Sequence, residues 1–298
     1  MVNLIRGIFA AFIVAQSAMM GKDYIDFSKS GKNENHGWIK SGITGLLGNF
    51  FDTLGVSSFA VIIAMKNILK LDIEDRQIPA MLNISCAIPN IVEALIFITV
   101  VDVDRGTLIP MLVAAGAGSY IGAGITSKLD ERKIQAAMGI ALFITASVIF
   151  MGLPWISLLP VGGNATGLAG IKLVVAVLLN FIYGSLMTAG IGLYAPCMAT
   201  TYILGMSPEC AFPIMMGSCA VLMPIASIRF IKEGNYPRKA SIAISIGGVI
   251  GVIIAATVFS YMPMNAIKVL CVFVIYYTSV SMIKKSILSA DKVSIREM

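Results

Sequence analysis

With 298 residues, 57% of them hydrophobic and only 13% charged, and a mean hydropathy of +0.88, the chain has too little charge to cover a soluble surface of its size. The composition is that of a polytopic membrane protein. The net charge of +6 does not mark a nucleic-acid partner, because the lysines and arginines fall between the apolar runs, where cytoplasmic loops carry them.

The first apolar run covers residues 5–20. Arg6 ahead of an apolar core gives it some likeness to a signal peptide. The polar loop behind it, Gly21–Gly37, carries Lys22, Lys29 and Lys32, with Lys40 soon after, and these suit the cytoplasm. The run is therefore read as a retained first helix, with its loop making up residues 1–37.

Gly42–Met65 follows. It is apolar enough to enter a bilayer, yet Asp52, Thr53, Gly55, Ser57 and Ser58 interrupt it. A carboxylate at membrane depth is expensive, and broken backbone survives there only where protein or water satisfies it. Leu186–Leu204 repeats the pattern. The remaining apolar runs are roughly Ile78–Val101, Thr107–Thr126, Ile134–Met151, Gly167–Thr188, Ile191–Leu204, Pro208–Ile231, Ala240–Tyr261 and Ala266–Ile283. All but Ile191–Leu204 are about long enough to span.

The two halves resemble each other. FFDTLGVSSFAVIIAM aligns with SLMTAGIGLYAPCMAT, pairing Thr53 with Thr188, Gly55 with Gly190 and Phe59 with Tyr194. IPAMLNISCAIP aligns with FPIMMGSCAVLMP, pairing Pro79 with Pro213 and Ser85-Cys86 with Ser218-Cys219. Arg105 then falls opposite Arg238, at an offset that stays between 133 and 135 throughout.

Charge sets the topology. If each broken segment turns back to the side it entered from, all but four of the 22 lysines and arginines lie on one side, leaving Arg6, Arg105, Lys172 and Lys268 on the other. A single crossing by each segment divides them far more evenly, so the positive-inside rule selects the hairpins. The expected fold is an all-α polytopic membrane protein with one extra N-terminal helix and two inverted-topology repeats. Each repeat is a broken-helix hairpin followed by three transmembrane helices. Repeat 1 covers residues 38–152, an extracytoplasmic linker 153–166, repeat 2 167–286 and a cytoplasmic C-terminal tail 287–298. Re-entrant loops and short full-crossing hairpins both remain open for the broken segments.

The returning arm of each hairpin starts at a membrane-buried tip. A helix start has unpaired backbone N–H groups and partial positive charge, so it holds an anion without a buried lysine or arginine. The candidate substrate-binding residues are Thr53, Gly55, Ser57 and Ser58 at the first tip and Thr188, Gly190 and Gly192 at the second. Asn83, Ser85 and Ser218 join them from the small polar patches that follow. The structural alternative for the tips is close helix packing; for the patches it is a proline kink with interhelical hydrogen bonds. Asp52 and Glu93 are the candidates for coupling to a proton or sodium ion. Asp52, opposite Met187 in the repeat, is equally suited to capping the returning arm. For Glu93 the alternatives are a place near the membrane interface or pairing with a basic residue.

The five cysteines lie in or at the ends of apolar segments and form no CxxC pair, which argues against disulfides and structural zinc. Cys86, Cys197 and Cys219 leave open a membrane thiol enzyme handling sulfur, although buried cysteines usually act as small apolar residues. His36 is the only histidine and has no second ligand. Gly118 with Gly122, and Gly247 with Gly251, read as helix-packing patterns. No catalytic or phosphate-binding motif is present, so no catalytic residue, metal or cofactor is assigned.

NFFDTLGVSSFA with the IPAMLN segment, and AGIGLYAPCMA with AFPIMMGSCAVLMP, resemble the sulfite exporter TauE/SafE family of permeases over roughly Trp38–Ile283. The resemblance implies a duplicated, multi-pass protein of the cytoplasmic membrane. It also implies transport of small sulfur-containing anions, such as sulfite or organosulfonates, rather than catalysis. Another small organic anion is the alternative substrate. The partners expected are that anion, membrane lipid and a coupling ion, with homo-oligomer formation left open.

Overall fold

The computed structural model describes residues 2–30, 34, 37–74, 77–122, 131–151, 156, 163–187 and 192–296. The protein is all-helical, and the only β contact among the described residues is an isolated bridge between Ala165 and Met206. The helices are α1 (Val2–Lys29), α2 (Trp38–Thr53), α3 (Ser58–Ile68), α4 (Ile78–Val100), α5 (Arg105–Gly122), α6 (Glu131–Met151), α7 (Gly170–Met187), α8 (Tyr194–Ile203), α9 (Ala211–Glu233), α10 (Arg238–Ser260) and α11 (Met264–Arg296). A 3-10 turn at Pro208–Cys210 leads into α9. Four spans among the described residues are long and apolar enough to cross a membrane: Ile78–Val100, Gly170–Met187, Pro208–Glu233 and Arg238–Phe259.

Two ends differ from the sequence reading. The first helix runs to Lys29 instead of stopping near residue 20, and the last runs to Arg296 instead of ending in a tail after residue 286. Neither extension contains a proline, so nothing in the backbone stops the helix at the end of the apolar stretch. Much of the linker at 153–166 lies outside the described residues.

In lipid, helices gain little by hiding apolar surface from a solvent that is itself apolar, so close backbone packing matters more. Glycines provide it here. A Cβ on Gly45 would run into the Ile244 carbonyl of α10, and one on Gly247 into the Gly42 carbonyl of α2. The same happens between α5 and α7, where Gly118 abuts the Phe181 carbonyl and Gly184 the Ala115 carbonyl. In both pairs the helices run parallel: Gly42 faces Gly247 and Leu46 faces Gly251, while Met111 meets Asn180 and Gly118 meets Ser185. The centre is an antiparallel pair, α4 with α9, tied by Ser227 to the Asn83 carbonyl at 3.2 Å and by Phe97 stacked on Phe212 at 5.7 Å. Phe259 of α10 closes this aromatic group at 4.8 and 4.6 Å from the two rings. Likewise α6 and α11 are antiparallel, with Ser279 bonded to the Gly139 carbonyl and Tyr276 to Ser147.

The long α1 is fastened to the start of α10. Asp23 accepts hydrogen bonds from Tyr236 and Arg238, both at 2.6 Å, and the Arg238 guanidinium lies 4.4 Å over the Phe27 ring. The Glu34 carboxylate accepts the backbone N–H groups of Arg238 and Lys239, so a negative charge sits on the positive end of α10.

Candidate functional site

α2 and α3 form a hairpin that returns to its starting side. Lys40, in the first turn of α2, donates to the Leu69 carbonyl just beyond α3 at 3.3 Å. The turn follows from sequence. Gly55 has φ +93°, and the Gly55 and Val56 N–H groups bond back to the Asp52 and Phe51 carbonyls, the pattern of a Schellman helix end. Only glycine takes that backbone without strain. The second hairpin, α7 with α8, is closed in the same way. Lys172 donates to the Leu204 carbonyl at 3.0 Å, and α8 ends in a Schellman motif at Gly205, φ +102°. α3 ends in the same motif with Lys70 as its left-handed residue, φ +50°.

The two hairpins meet at their tips. A Cβ on Gly192 would lie 3.3 Å from Ser57 Oγ, so the two loops approach closely enough that any side chain there would make the serine hydroxyl shift by a few tenths of an ångström. Beside this contact is a cavity of about 70 Å³ lined by Ser57, Phe59, Gly192, Gln135 of α6 and Tyr277 and Ser281 of α11. That is room for a few water molecules, each of which needs about 10–15 Å³ of such space. Ser57 and Phe59 keep backbone N–H groups with no protein partner among the described residues. A larger cavity, about 810 Å³, lies away from the tips between the ends of α5 and α9, with Arg229 and Lys232 in its wall.

Behind the first tip, fully buried side chains from three elements converge. Asp52 Oδ1 accepts the Ser58 N–H at 2.6 Å, so this carboxylate caps α3, one of the two roles the sequence left open. Asp52 Oδ2 accepts Asn90 Nδ2 of α4 at 3.2 Å. Tyr194 Oη, on the first residue of α8, lies 2.8 Å from Asn90 Oδ1 and 3.0 Å from Glu93 Oε2. Thr53 Oγ1 lies 2.5 Å from Glu93 Oε1 and 2.9 Å from the Asn49 carbonyl. Glu93 is fully buried inside the protein. Among the described residues neither carboxylate forms an ion pair.

The structure thus brings Asp52, Thr53, Ser58 and Glu93 into one cluster, with Gly55, Ser57 and Gly192 at the adjoining tips. The polar patches do other work. Ser218 accepts from Asn180, which also donates to the Met111 carbonyl, tying α7, α5 and α9 together. Asn83 donates to the Pro79 carbonyl of its own helix, and Ser85 contacts Cys86 at 3.9 Å. Thr188 and Gly190 lie outside the described residues. Asn90 and Tyr194 were not among the candidates. Asn90 and Glu93 are three residues apart, hence on one helix face, and that spacing was the available signal. Tyr194 had none beyond its alignment with Phe59.

Cys86, Cys197 and Cys219 are buried with no exposed surface, and Cys219 Sγ lies 3.6 Å from the Met187 sulfur. A reactive thiol needs access and a thiolate-favouring neighbour, and these have neither. No group of three or more His, Cys, Asp or Glu able to hold a metal ion occurs among the described residues.

Compared with known families, residues 1–149 match the family model described as Sulfite exporter TauE/SafE. No curated protein and no solved structure matches the chain.

Proposed function

The chain belongs to the sulfite exporter TauE/SafE family, and from that premise we propose that it is a secondary transporter of small anions, with sulfur oxoanions or organosulfonates such as sulfite as substrates. The carrying observation is the contact of the two hairpin tips at Ser57 and Gly192. The anion is held between them by the free Ser57 and Phe59 amides and the Ser57 hydroxyl, with Thr188 and Gly190 contributing from the second tip.

Two inverted repeats underlie this design, 38–152 and 167–286, joined by the 153–166 linker. Several pairings support the duplication. α2 pairs with α10 as α5 pairs with α7, and each hairpin is closed by a lysine from its first arm, Lys40 or Lys172. Arg105 and Arg238 each open a helix. Rocking of one repeat against the other gives alternating access. The protein is a multi-pass membrane protein; the cell membrane is the location the family implies, and the lysine and arginine distribution supports a cytoplasmic C-terminus. Asn83, Ser85 and Ser218 act here as supports for the helices around the tips, and Asp52 and Glu93 as the coupling residues.

The test is flux of radiolabelled sulfite, sulfonates and carboxylates into proteoliposomes containing the full chain. Saturable counterflow of sulfite or a sulfonate is expected, and a variant without cysteines retains it. Counterflow of none of these anions would sink the reading, and loss of all function on removing the cysteines would return the thiol enzyme to consideration.

A further inference from the structure

Tyr194 and Thr53 each have one hydroxyl hydrogen, and each hydroxyl has two acceptors beside it. For Tyr194 these are Asn90 Oδ1 and Glu93 Oε2; for Thr53 they are Glu93 Oε1 and the Asn49 carbonyl. With both carboxylates ionised, the Tyr194 hydrogen serves Asn90 or Glu93 but not both, and a fully buried oxygen goes without a partner. One added hydrogen on Glu93 Oε2 completes the set. Glu93 then donates to Tyr194, Tyr194 donates to Asn90 Oδ1, and Asn90 Nδ2 donates to Asp52 Oδ2. The chain runs one way from an acid to an anion. Thr53 donates to Glu93 Oε1, while the Asn49 carbonyl keeps its helical bond.

The two carboxyls are not equivalent. The two close hydrogen bonds to Asp52, from the Ser58 backbone and Asn90, both come from N–H groups, which only donate, with the Ser58 and Tyr194 hydroxyls facing it as well, so Asp52 is held as an acceptor. Both partners of Glu93 are hydroxyls, which reverse roles, so Glu93 gains or loses a hydrogen without breaking the network. The other groups facing the pair are Cys86 of α4 and Cys219 of α9, with Cys197 of α8 adjoining, and none of these is a base.

We propose that Glu93 is the proton-binding residue of this protein, that Asp52 stays its ionised neighbour, and that proton and anion move in the same direction. This rests on the transporter reading above. An anion approaching the tips meets one negative charge when Glu93 holds its proton and two when it does not, so anion and proton favour each other's binding. Sodium is disfavoured at Asp52, because N–H donors already point at both of its oxygens.

Two measurements test this on the purified full chain. In proteoliposomes, an inward pH gradient, acid outside, drives accumulation of radiolabelled methanesulfonate or sulfite. One-to-one coupling gives at most about tenfold accumulation per pH unit, and a sodium gradient at equal pH gives none. In Glu93→Gln, whose amide keeps a donor toward Tyr194, the pH gradient no longer raises accumulation. Accumulation driven by sodium alone, or a Glu93→Gln variant that still follows the pH gradient, overturns the proposal. Infrared spectroscopy reads the site without transport. At neutral pH the wild type shows the carbonyl stretch of a protonated carboxylic acid, lost in Glu93→Gln and kept in Asp52→Asn. If that band is missing from the wild type or survives in Glu93→Gln, the assignment falls, whatever the flux. If the wild type carries neither anion, the transporter reading fails, while the band still decides whether Glu93 holds a proton.

Discussion

Gly55 and Gly205 provide a matched pair that separates strain from function. Both are the left-handed residue of a Schellman motif, with φ +93° and +102°. Replacing either by alanine costs about 1–2 kcal/mol in backbone strain. The surroundings differ. A Cβ at Gly55 comes within 3.2 Å of Met198 Cε and 3.6 Å of Val274, at the meeting point of the tips. A Cβ at Gly205 has only Lys172 Nζ at 3.7 Å, at the mouth of the second hairpin. Met198 Cε is the end of a flexible side chain and gives way cheaply, so the two alanine variants should lose similar stability, a fall of a few degrees in detergent melting. Their transport should differ. Gly205→Ala keeps sulfonate counterflow close to wild type. Gly55→Ala lowers it about tenfold or more, because shifting the tip by a fraction of an ångström disturbs the donors around it. Gly55→Leu abolishes it while the protein still inserts. The assay is initial-rate counterflow normalised to folded protein. Equal flux in Gly55→Ala and Gly205→Ala, or normal flux in Gly55→Leu, refutes the assignment of the first tip.

Three further outcomes follow from the packing. Gly247→Val forces a side chain into the Gly42 carbonyl and should separate α2 from α10, seen as loss of the monodisperse peak in size exclusion; Gly21→Val, with open space around it, should leave the peak intact. Asn180→Ala leaves the buried Ser218 hydroxyl without its donor and should cost about 1–3 kcal/mol, read as a lower melting temperature. Lys70→Gly relieves a left-handed non-glycine residue and should raise the melting temperature, by about 1 kcal/mol of stability; an unchanged or lower value would mean that the Lys70 side chain contributes a compensating contact.

Much of this architecture is readable along the chain. Apolar runs separated by loops rich in Lys and Arg are enough for the helices, because a bilayer demands about 20 apolar residues with internally paired backbone. Gly55 marks the end of α2 because a Schellman turn needs a left-handed residue, and that requirement is local. The break between α2 and α3 was readable too, and Lys40 and Leu69 come together where the two arms end.

What the sequence did not contain is which distant residues meet. Thr53 and Glu93 are 40 positions apart, and Asn90 and Tyr194 104 apart. Nothing local to any of them encodes the contact. It arises from how whole helices pack on one another, which depends on complementary shape and not on pattern along any one segment. Composition and periodicity therefore determined that this is a helical membrane protein with two broken segments, and Asp52 and Glu93 stood out singly as costly charges. Only the tertiary structure made them neighbours, put two N–H donors on the oxygens of Asp52, and left Glu93 between two hydroxyls that can turn either way.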